Sequence, residues 1–307
     1  MTWPLKETIE CVPNISTSDP NVVKQIVDEI EKVPSVYLLD HSFDDYYNRL
    51  VVVVAGSKES ILEAVLKASL KAVHLIDMNK HKGQHPRMGA VDVVPFVPVE
   101  NIAMKDCVLL SREYGRRLAE EAGVPVYLYG EAASSPERRD IDWIREGEYE
   151  KLGEMILRPE RKPDFGPAKS HPTAGATITG ARGLMVGFNV NLGTTDLQTC
   201  KRIARALHGK KGGLAFVRAM AAEIPQKKEI QIGMSIYGFE STPLHRVFEL
   251  LKVEADRYNI PITGSEINGV VPVKAIIDAA SFYLRLGNLT ESKILETAIA
   301  RAIKAKG

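Results

Sequence analysis

Short apolar runs rich in β-formers alternate with amphipathic helical stretches from one end of this chain to the other. That alternation restricts the fold to the α/β or α+β class, in which helices cover the faces of a sheet. Glu7–Val12 reads as a strand, and Asp19-Pro20 opens a helix that runs to about Lys32. Ser35–Leu39 and Leu50–Ala55 read as a pair of buried strands joined by a polar loop rich in Asp and Tyr. Lys58–Leu75 carries Ile61, Leu62, Val65, Leu66, Leu70 and Val73 at helical spacing. A strand at Val91–Val97, a helix at Ser111–Ala122 and a strand at Pro125–Tyr129 follow, then a charged helix and connector over Ser135–Pro163.

The second half repeats the order. Leu184–Asn191 is a strand, Asp196–Leu207 a helix, and Gly213–Ala221 and Glu229–Tyr237 are strands. Pro243–Arg257 is a helix and Ile260–Thr263 a short strand, and helices near Val273–Leu286 and Thr290–Lys304 close the chain. Each half approximates β-α-β-β-α-β, the split-βαβ order. The expected architecture is two such subdomains, residues 1–165 and 166–307, with facing sheets and a ligand-binding cleft between them. A chain of 307 residues is long enough to give each lobe a core.

Composition works by exclusion. The formal net charge is +1, so no bulk field favours nucleic acid or an anionic membrane, and neither is expected as a partner. The most apolar run, Leu50–Ala55, is far shorter than a membrane span, and the first residues show no signal-peptide pattern. Cys11, Cys107 and Cys200 are widely spaced and form no CxxC pair, which suits a reducing compartment. A cytoplasmic protein is the expectation. Gly175–Gly180 has the glycine spacing of a phosphate loop but lacks its Lys-Ser/Thr, and no Gly-x-Ser-x-Gly elbow occurs.

The chemistry concentrates in Ile76–Asp92, which packs two His, three basic residues, two Gly and a Pro between an amphipathic helix and a buried strand. The Gly and Pro punctuation makes it a loop, and Pro86 biases His85 toward extended backbone that presents its side chain. Functional groups gather on such loops between rigid elements. His81 and His85 are four apart, as in a zinc-protease helix, but Gly83 and Pro86 oppose a helix and Lys82 replaces the required Glu. No metal is expected, and His81 is given a structural role.

The chain resembles the formiminotransferase domain of the formiminotransferase-cyclodeaminase family over nearly its whole length. The matching words are Glu10–Asn14, Asn48-Arg49, the Ile76–Asp92 loop with its His-Pro-Arg-Met-Gly-Ala, and Pro125–Ala133. Later words are Pro163–Pro167, Gly175–Thr177, Gly180–Arg182, Phe188–Leu192 and Val271–Lys274. The resemblance implies a homodimer of α/β subdomains with reduced folate as co-substrate. The family's catalytic histidine falls on His85. Its folate-binding segment falls on Gly166, Pro167, Ala168, Lys169, Ser170, His171, Pro172, Thr173, Ala174 and Gly175. No residues are left over for a cyclodeaminase, so product release to a separate enzyme is expected.

The implied reaction transfers the formimino group of N-formimino-L-glutamate, a product of histidine degradation, to N5 of tetrahydrofolate. N5 must lose a proton and the departing glutamate nitrogen must gain one. One imidazole with a pKa near neutrality can serve both needs, and that shuttle is assigned to His85. A supporting carboxylate is sought among Asp40, Asp44, Asp45 and Glu131. Arg49, Lys82 and Arg87 are the candidate partners for substrate carboxylates. Asn14 and Asn48, at strand ends, either read ligand polar groups or close turns. The sequence departs from the family pattern at Gln84, where Glu is expected, at Ser42, where a catalytic-site Asp is expected, and at Ala168–His171. Two other readings stay open: formyl transfer involving 5-formyltetrahydrofolate at the same site, and a folate-binding protein without turnover.

Overall fold

Residues 7–224 and 226–304 are described by the computed structural model, and strands and helices alternate through all of them. The residues read above for a signal peptide lie partly outside this range. The chain divides into two compact units, one ending at Arg182 and the other beginning at Gly183.

The first unit contains β1 (Thr8–Cys11), β2 (Asn14–Ile15), α1 (Pro20–Glu31), β3 (Val36–Asp44), β4 (Arg49–Gly56) and α2 (Lys58–Leu75). It continues through β5 (Val91–Glu100), α3 (Met104–Ala122), β6 (Val126–Gly130), α4 (Ile141–Ile144), α5 (Glu148–Met155) and β7 (Thr177–Ala181). Helix α1 starts where Asp19 accepts from the Asn21 N–H at 2.8 Å, with Pro20 in the first turn. Such a cap contributes about 1 kcal/mol. Val23, Ile26, Val27 and Ile30 then form one buried stripe, as a 3.6-residue period requires. Helices α1, α2 and α3 bury their apolar stripes with Ile9, Val52, Val54, Val94 and Phe96 of the strands. Ile141, Ile144 and Leu152, from α4 and α5, form a second cluster with Val93, Tyr127, Tyr129 and Ile178.

Strands β1 and β2 share one slot, each pairing antiparallel with both β4 and β5. With β3 outside β4, these strands give the order β3–β4–β1/β2–β5. Strand β7 extends the sheet, running parallel to β5 on one side and to β6 on the other.

The second unit contains β8 (Val186–Leu192), α6 (Leu197–Leu207), β9 (Val217–Ile224), β10 (Glu229–Ile236), α7 (Leu244–Asp256), β11 (Ile262–Asn268), α8 (Val273–Leu284) and α9 (Leu295–Lys304). Its sheet is antiparallel in the order β11–β8–β10–β9. That is the β5–β1–β4–β3 order of the first unit, so the β-α-β-β-α-β reading of each half holds at the level of strand position.

One stretch differs from expectation. Residues 166–182, assigned from sequence to the second subdomain, lie in the first unit. The cause is β7, whose Thr177–Ala181 is wholly buried between β5 and β6. Glycines at 175 and 180 gave this strand the look of a loop. Among the described residues no helix is long and apolar enough to cross a membrane.

Candidate active site

The Ile76–Ala90 loop hangs between α2 and β5 and is held from three directions. The β3–β4 turn holds its middle: Asn48 Nδ2 donates to the Lys82 carbonyl at 2.9 Å, and the Gln84 N–H donates to the Tyr46 carbonyl at 3.2 Å. The segment after α4 holds one flank, where the Tyr149 N–H donates to the Arg87 carbonyl at 2.9 Å and the Tyr149 hydroxyl to Asn79 Oδ1 at 3.0 Å. Residues 172–176 hold both ends. The Met78 N–H donates to the Thr173 carbonyl at 2.7 Å, the Ala90 N–H to Ala174 at 2.9 Å, and the Ala176 N–H to Met88 at 3.0 Å. The loop expected to carry the chemistry and the segment expected to bind folate thus brace one another. Backbone fixed this way holds a reactive side chain to a narrow range of positions.

His85 is half-buried on this loop. Its Nδ1–H donates to the Pro86 carbonyl at 2.7 Å, which leaves the lone pair on Nε2. The Tyr47 ring meets it edge-on at 6.2 Å between centroids. Asp92, fully buried on β5, acts electrostatically on the same ring. Asp92 Oδ2 accepts from Arg49 Nη1 at 2.8 Å and from Arg145 Nη2 at 2.5 Å, while Oδ1 accepts from the Met88 N–H at 3.0 Å. Burial alone would raise the Asp92 carboxyl, but Arg145 and Arg49 hold it at about 2. Burial, aided by the Arg49 and Arg145 guanidiniums, pushes His85 down to about 3. The sequence-based expectation of a near-neutral pKa is therefore corrected. Burial and two cations make the ring a neutral base at pH 7.

The other candidate residues fall into three groups. Asn14 and Arg49 join the buried network: Asn14 Oδ1 accepts from Arg49 Nε at 3.0 Å and Nη2 at 2.8 Å, fixing the guanidinium against Asp92. Asn48 closes the β3–β4 turn, with φ at 46°, and its carbonyl accepts from His81 Nε2–H at 2.9 Å. His81 Nδ1 then accepts from Arg87 Nε at 3.3 Å, so both of its ring nitrogens are engaged. Those two bonds tie His81 to the β3–β4 turn and to Arg87. Among the described residues no three His, Cys, Asp or Glu side chains converge.

Lys82, Arg87 and Ser170 form the second group. They line an open cavity of about 940 Å³ together with Gln84, Tyr149 and Glu150. Lys82 is exposed there, whereas Arg87, 8% exposed, is committed to Glu148 at 3.1 Å and Glu150 at 2.6 Å. His171 closes the turn beside Ser170, its Nδ1 accepting from the N–H groups of Thr173 at 3.3 Å and Ala174 at 3.0 Å. Gly166, Pro167, Ala168 and Lys169 are exposed, and Ala174 and Gly175 are buried against the loop. The third group lies outside both networks. Glu131 pairs with Arg139, and Asp40 sits half-buried on the edge strand β3 opposite Val53.

Asp92 and Arg145 were not singled out from the sequence. Asp92 carried a signal, since a charge inside a valine-rich buried strand demands a partner. Arg145 carried none, because its partner lies 53 residues away.

The model of the formiminotransferase domain, N-terminal subdomain, matches residues 8–182, and that of the formiminotransferase domain matches residues 187–306. The chain belongs to the formiminotransferase family. Among its relatives is the glutamate formimidoyltransferase of Thermoplasma acidophilum, 42% identical over 297 residues that cover 96% of this chain and 98% of that protein. The Streptococcus pyogenes serotype M1 protein of the same name is 39% identical over 294 residues, covering 95% and 98%. The mouse formimidoyltransferase-cyclodeaminase is 44% identical over 286 residues, which are 91% of this chain and 53% of the mouse protein. The boundary between the two formiminotransferase subdomain matches coincides with the structural break at Arg182/Gly183. Of the two departures noted in the catalytic region, Gln84 lines the open cavity and Ser42 lies exposed on β3.

Proposed function

We propose that this formiminotransferase moves the formimino group of N-formimino-L-glutamate to N5 of tetrahydrofolate, giving 5-formiminotetrahydrofolate and L-glutamate. The observation that carries the mechanism is the state of His85: a neutral ring, its Nδ1–H tied to the Pro86 carbonyl and its Nε2 lone pair available. The near-complete match to proteins named for this activity supports the reaction class.

N5 attacks the amidinium carbon and forms the new C–N bond. His85 Nε2 takes the N5 proton as the tetrahedral carbon, bearing three nitrogens, is formed. The same proton then passes to the glutamate nitrogen as its C–N bond breaks, so the amino acid leaves as a neutral amine and the imidazole is regenerated. Positioned proton transfer of this kind contributes about 10²–10⁴-fold, and the remainder comes from alignment. The Gly166–Gly175 segment holds the folate, a reading supported by its hydrogen bonds to both ends of the His85 loop. The setting is a cytoplasmic homodimer acting in histidine degradation. The three unpaired, buried cysteines suit a reducing compartment, and exposed Phe282, Leu284, Leu295 and Ile299 on α8 and α9 suit a covering second copy.

The test is product analysis with pure protein and tetrahydrofolate, offering formiminoglutamate in parallel with 5-formyltetrahydrofolate plus glutamate. Glutamate release with formiminoglutamate alone is the expected result, and turnover of only the formyl compound would replace this reading with formyl transfer. Millimolar tetrahydrofolate should also raise the thermal midpoint, and no rise would count against folate binding altogether.

A further inference from the structure

In the Arg49–Asp92–Arg145 cluster, two guanidiniums share one carboxylate oxygen at 2.8 and 2.5 Å. Asp92 is fully buried, and the side chains of Arg49 and Arg145 are 7% and 12% exposed. Two guanidiniums against one carboxylate leave one positive charge with no second ion-pair partner among the described residues. The Arg145 Nε–H, shielded from solvent, has no acceptor among the described residues. Buried charges are normally paired and buried N–H groups normally satisfied, so a fold that keeps both defects beside its reactive histidine calls for an explanation.

We infer that Arg145, together with Arg49, receives a carboxylate of the formimino donor beside His85. This rests on the functional reading above and extends it to a residue that reading did not use. Asn14 and Asp92 already occupy Arg49 from two sides, whereas among the described residues the Arg145 guanidinium makes one hydrogen bond, to Asp92. The donor supplies what the cluster lacks: an anion with two oxygens that matches the guanidinium fork.

The arrangement also answers a difficulty in the mechanism. His85 must hold the N5 proton until the glutamate nitrogen takes it, yet burial and the two guanidiniums disfavour the imidazolium. The groups acting on the ring are Arg49 from β4, Asp92 from β5, Arg145 from the α4–α5 connection and the edge of the Tyr47 ring. A donor carboxylate cancels the excess charge of this set, so the ring accepts and holds a proton more readily once the substrate is seated. Glutamate, as product, leaves with the same carboxylate, and the excess positive charge again favours the neutral ring.

A combined protein and substrate truncation tests this. Wild type, Arg145→Met and Arg145→Lys are each assayed with formiminoglutamate and with two donors lacking one carboxylate, N-formimino-γ-aminobutyrate and N-formimino-α-aminobutyrate. In wild type, one of the truncated donors should lose at least about tenfold in kcat/KM, the scale of an unpaired ionic hydrogen bond. In Arg145→Met, the same truncation should cost less than about threefold, because the interaction has already gone. Arg145→Lys, which keeps the charge and the fold but not the fork, should fall between, with KM for tetrahydrofolate near the wild-type value. Equal truncation costs in all three proteins overturn the inference and leave the functional reading intact. Absence of wild-type turnover with formiminoglutamate sinks that reading, and the inference with it.

Discussion

Gly89 and Gly175 meet across the base of the His85 loop more closely than any side chain would allow. The two pair as an isolated antiparallel bridge. A Cβ on Gly175 would stand 2.3 Å from the Met88 carbonyl oxygen, and one on Gly89 would stand 2.3 Å from the carbonyl oxygens of Ala174 and Ala176. Gly175 also has φ at 70°, where an L side chain is strained. Replacing Gly175 with Ala should therefore cost about 1–3 kcal/mol in urea unfolding and displace both braced segments. Gly153→Ala, in α5 with open space at the Cβ position, is the control and should be neutral or stabilising by up to about 1 kcal/mol. Equal effects at the two sites would mean the close approach is not a constraint.

Replacing His85 with Ala removes the proton shuttle and should lower kcat by about two to four orders of magnitude. Tetrahydrofolate affinity, read by equilibrium binding, should change far less, because the ring acts mainly on the transition state. The parallel His81→Ala variant loses the bridge between the Asn48 carbonyl and Arg87. It should unfold at lower temperature and lose a smaller part of its activity. Near-normal turnover by the His85 variant would rule out the mechanism.

Stability should fall in acid through two windows. The folded-state pKa of His85, about 3, lies below the ordinary 6.5, so the unfolded chain binds a proton that the native one refuses. That difference is absent above pH 6.5 and destabilises progressively as pH falls from 6.5 toward 3. Asp92, at about 2 rather than 3.8, contributes stability that is full above 3.8 and lost as pH falls through 2. Chemical denaturation across a pH series checks both. His85→Asn should shallow the slope in the first window by up to about 1.4 kcal/mol per pH unit, the value for one proton.

Asp92 is the counter-ion for two buried cations, so Asp92→Asn should be among the most destabilising single changes in the chain. Removing one member of a buried ionic cluster costs about 3–5 kcal/mol. The double variant Asp92→Asn/Arg145→Met removes one stranded cation as well and should recover part of the loss. Additive destabilisation in denaturant titrations would show that Asp92 and Arg145 are not coupled.

What the sequence made legible was whatever depends on neighbours along the chain. Helix α2 spans Lys58–Leu75 as its apolar spacing indicated, and α1 begins at the Asp19-Pro20 signal. Helix α3 begins at Met104, seven residues ahead of the expected Ser111, because the polar Lys105 and Asp106 of its first turn masked the start. Strand β3 runs on to Asp44 because its outer half is an exposed sheet edge, where no apolar pattern is required. The His85 loop was visible through its Gly and Pro punctuation. The pairs that set its electrostatics were not, since Arg49 and Arg145 reach Asp92 across 43 and 53 residues. A local pattern carries no trace of such partners.

Strand β7 has a consequence for the order in which the protein assembles as it leaves the ribosome. Among the described strands, β6 has its only ladder with β7, and β5 needs β7 to cover its second edge. A nascent chain that has emerged only as far as Phe165 therefore carries two open strand edges facing an empty slot, a ready template for mispairing with other chains. The same fragment lacks the Thr173, Ala174 and Ala176 groups that tie down both ends of the His85 loop. Threading Thr177–Ala181 into the gap closes the edges and tensions the loop in one event. A fragment cut after Arg182 can carry a finished sheet, whereas one cut after Phe165 should aggregate.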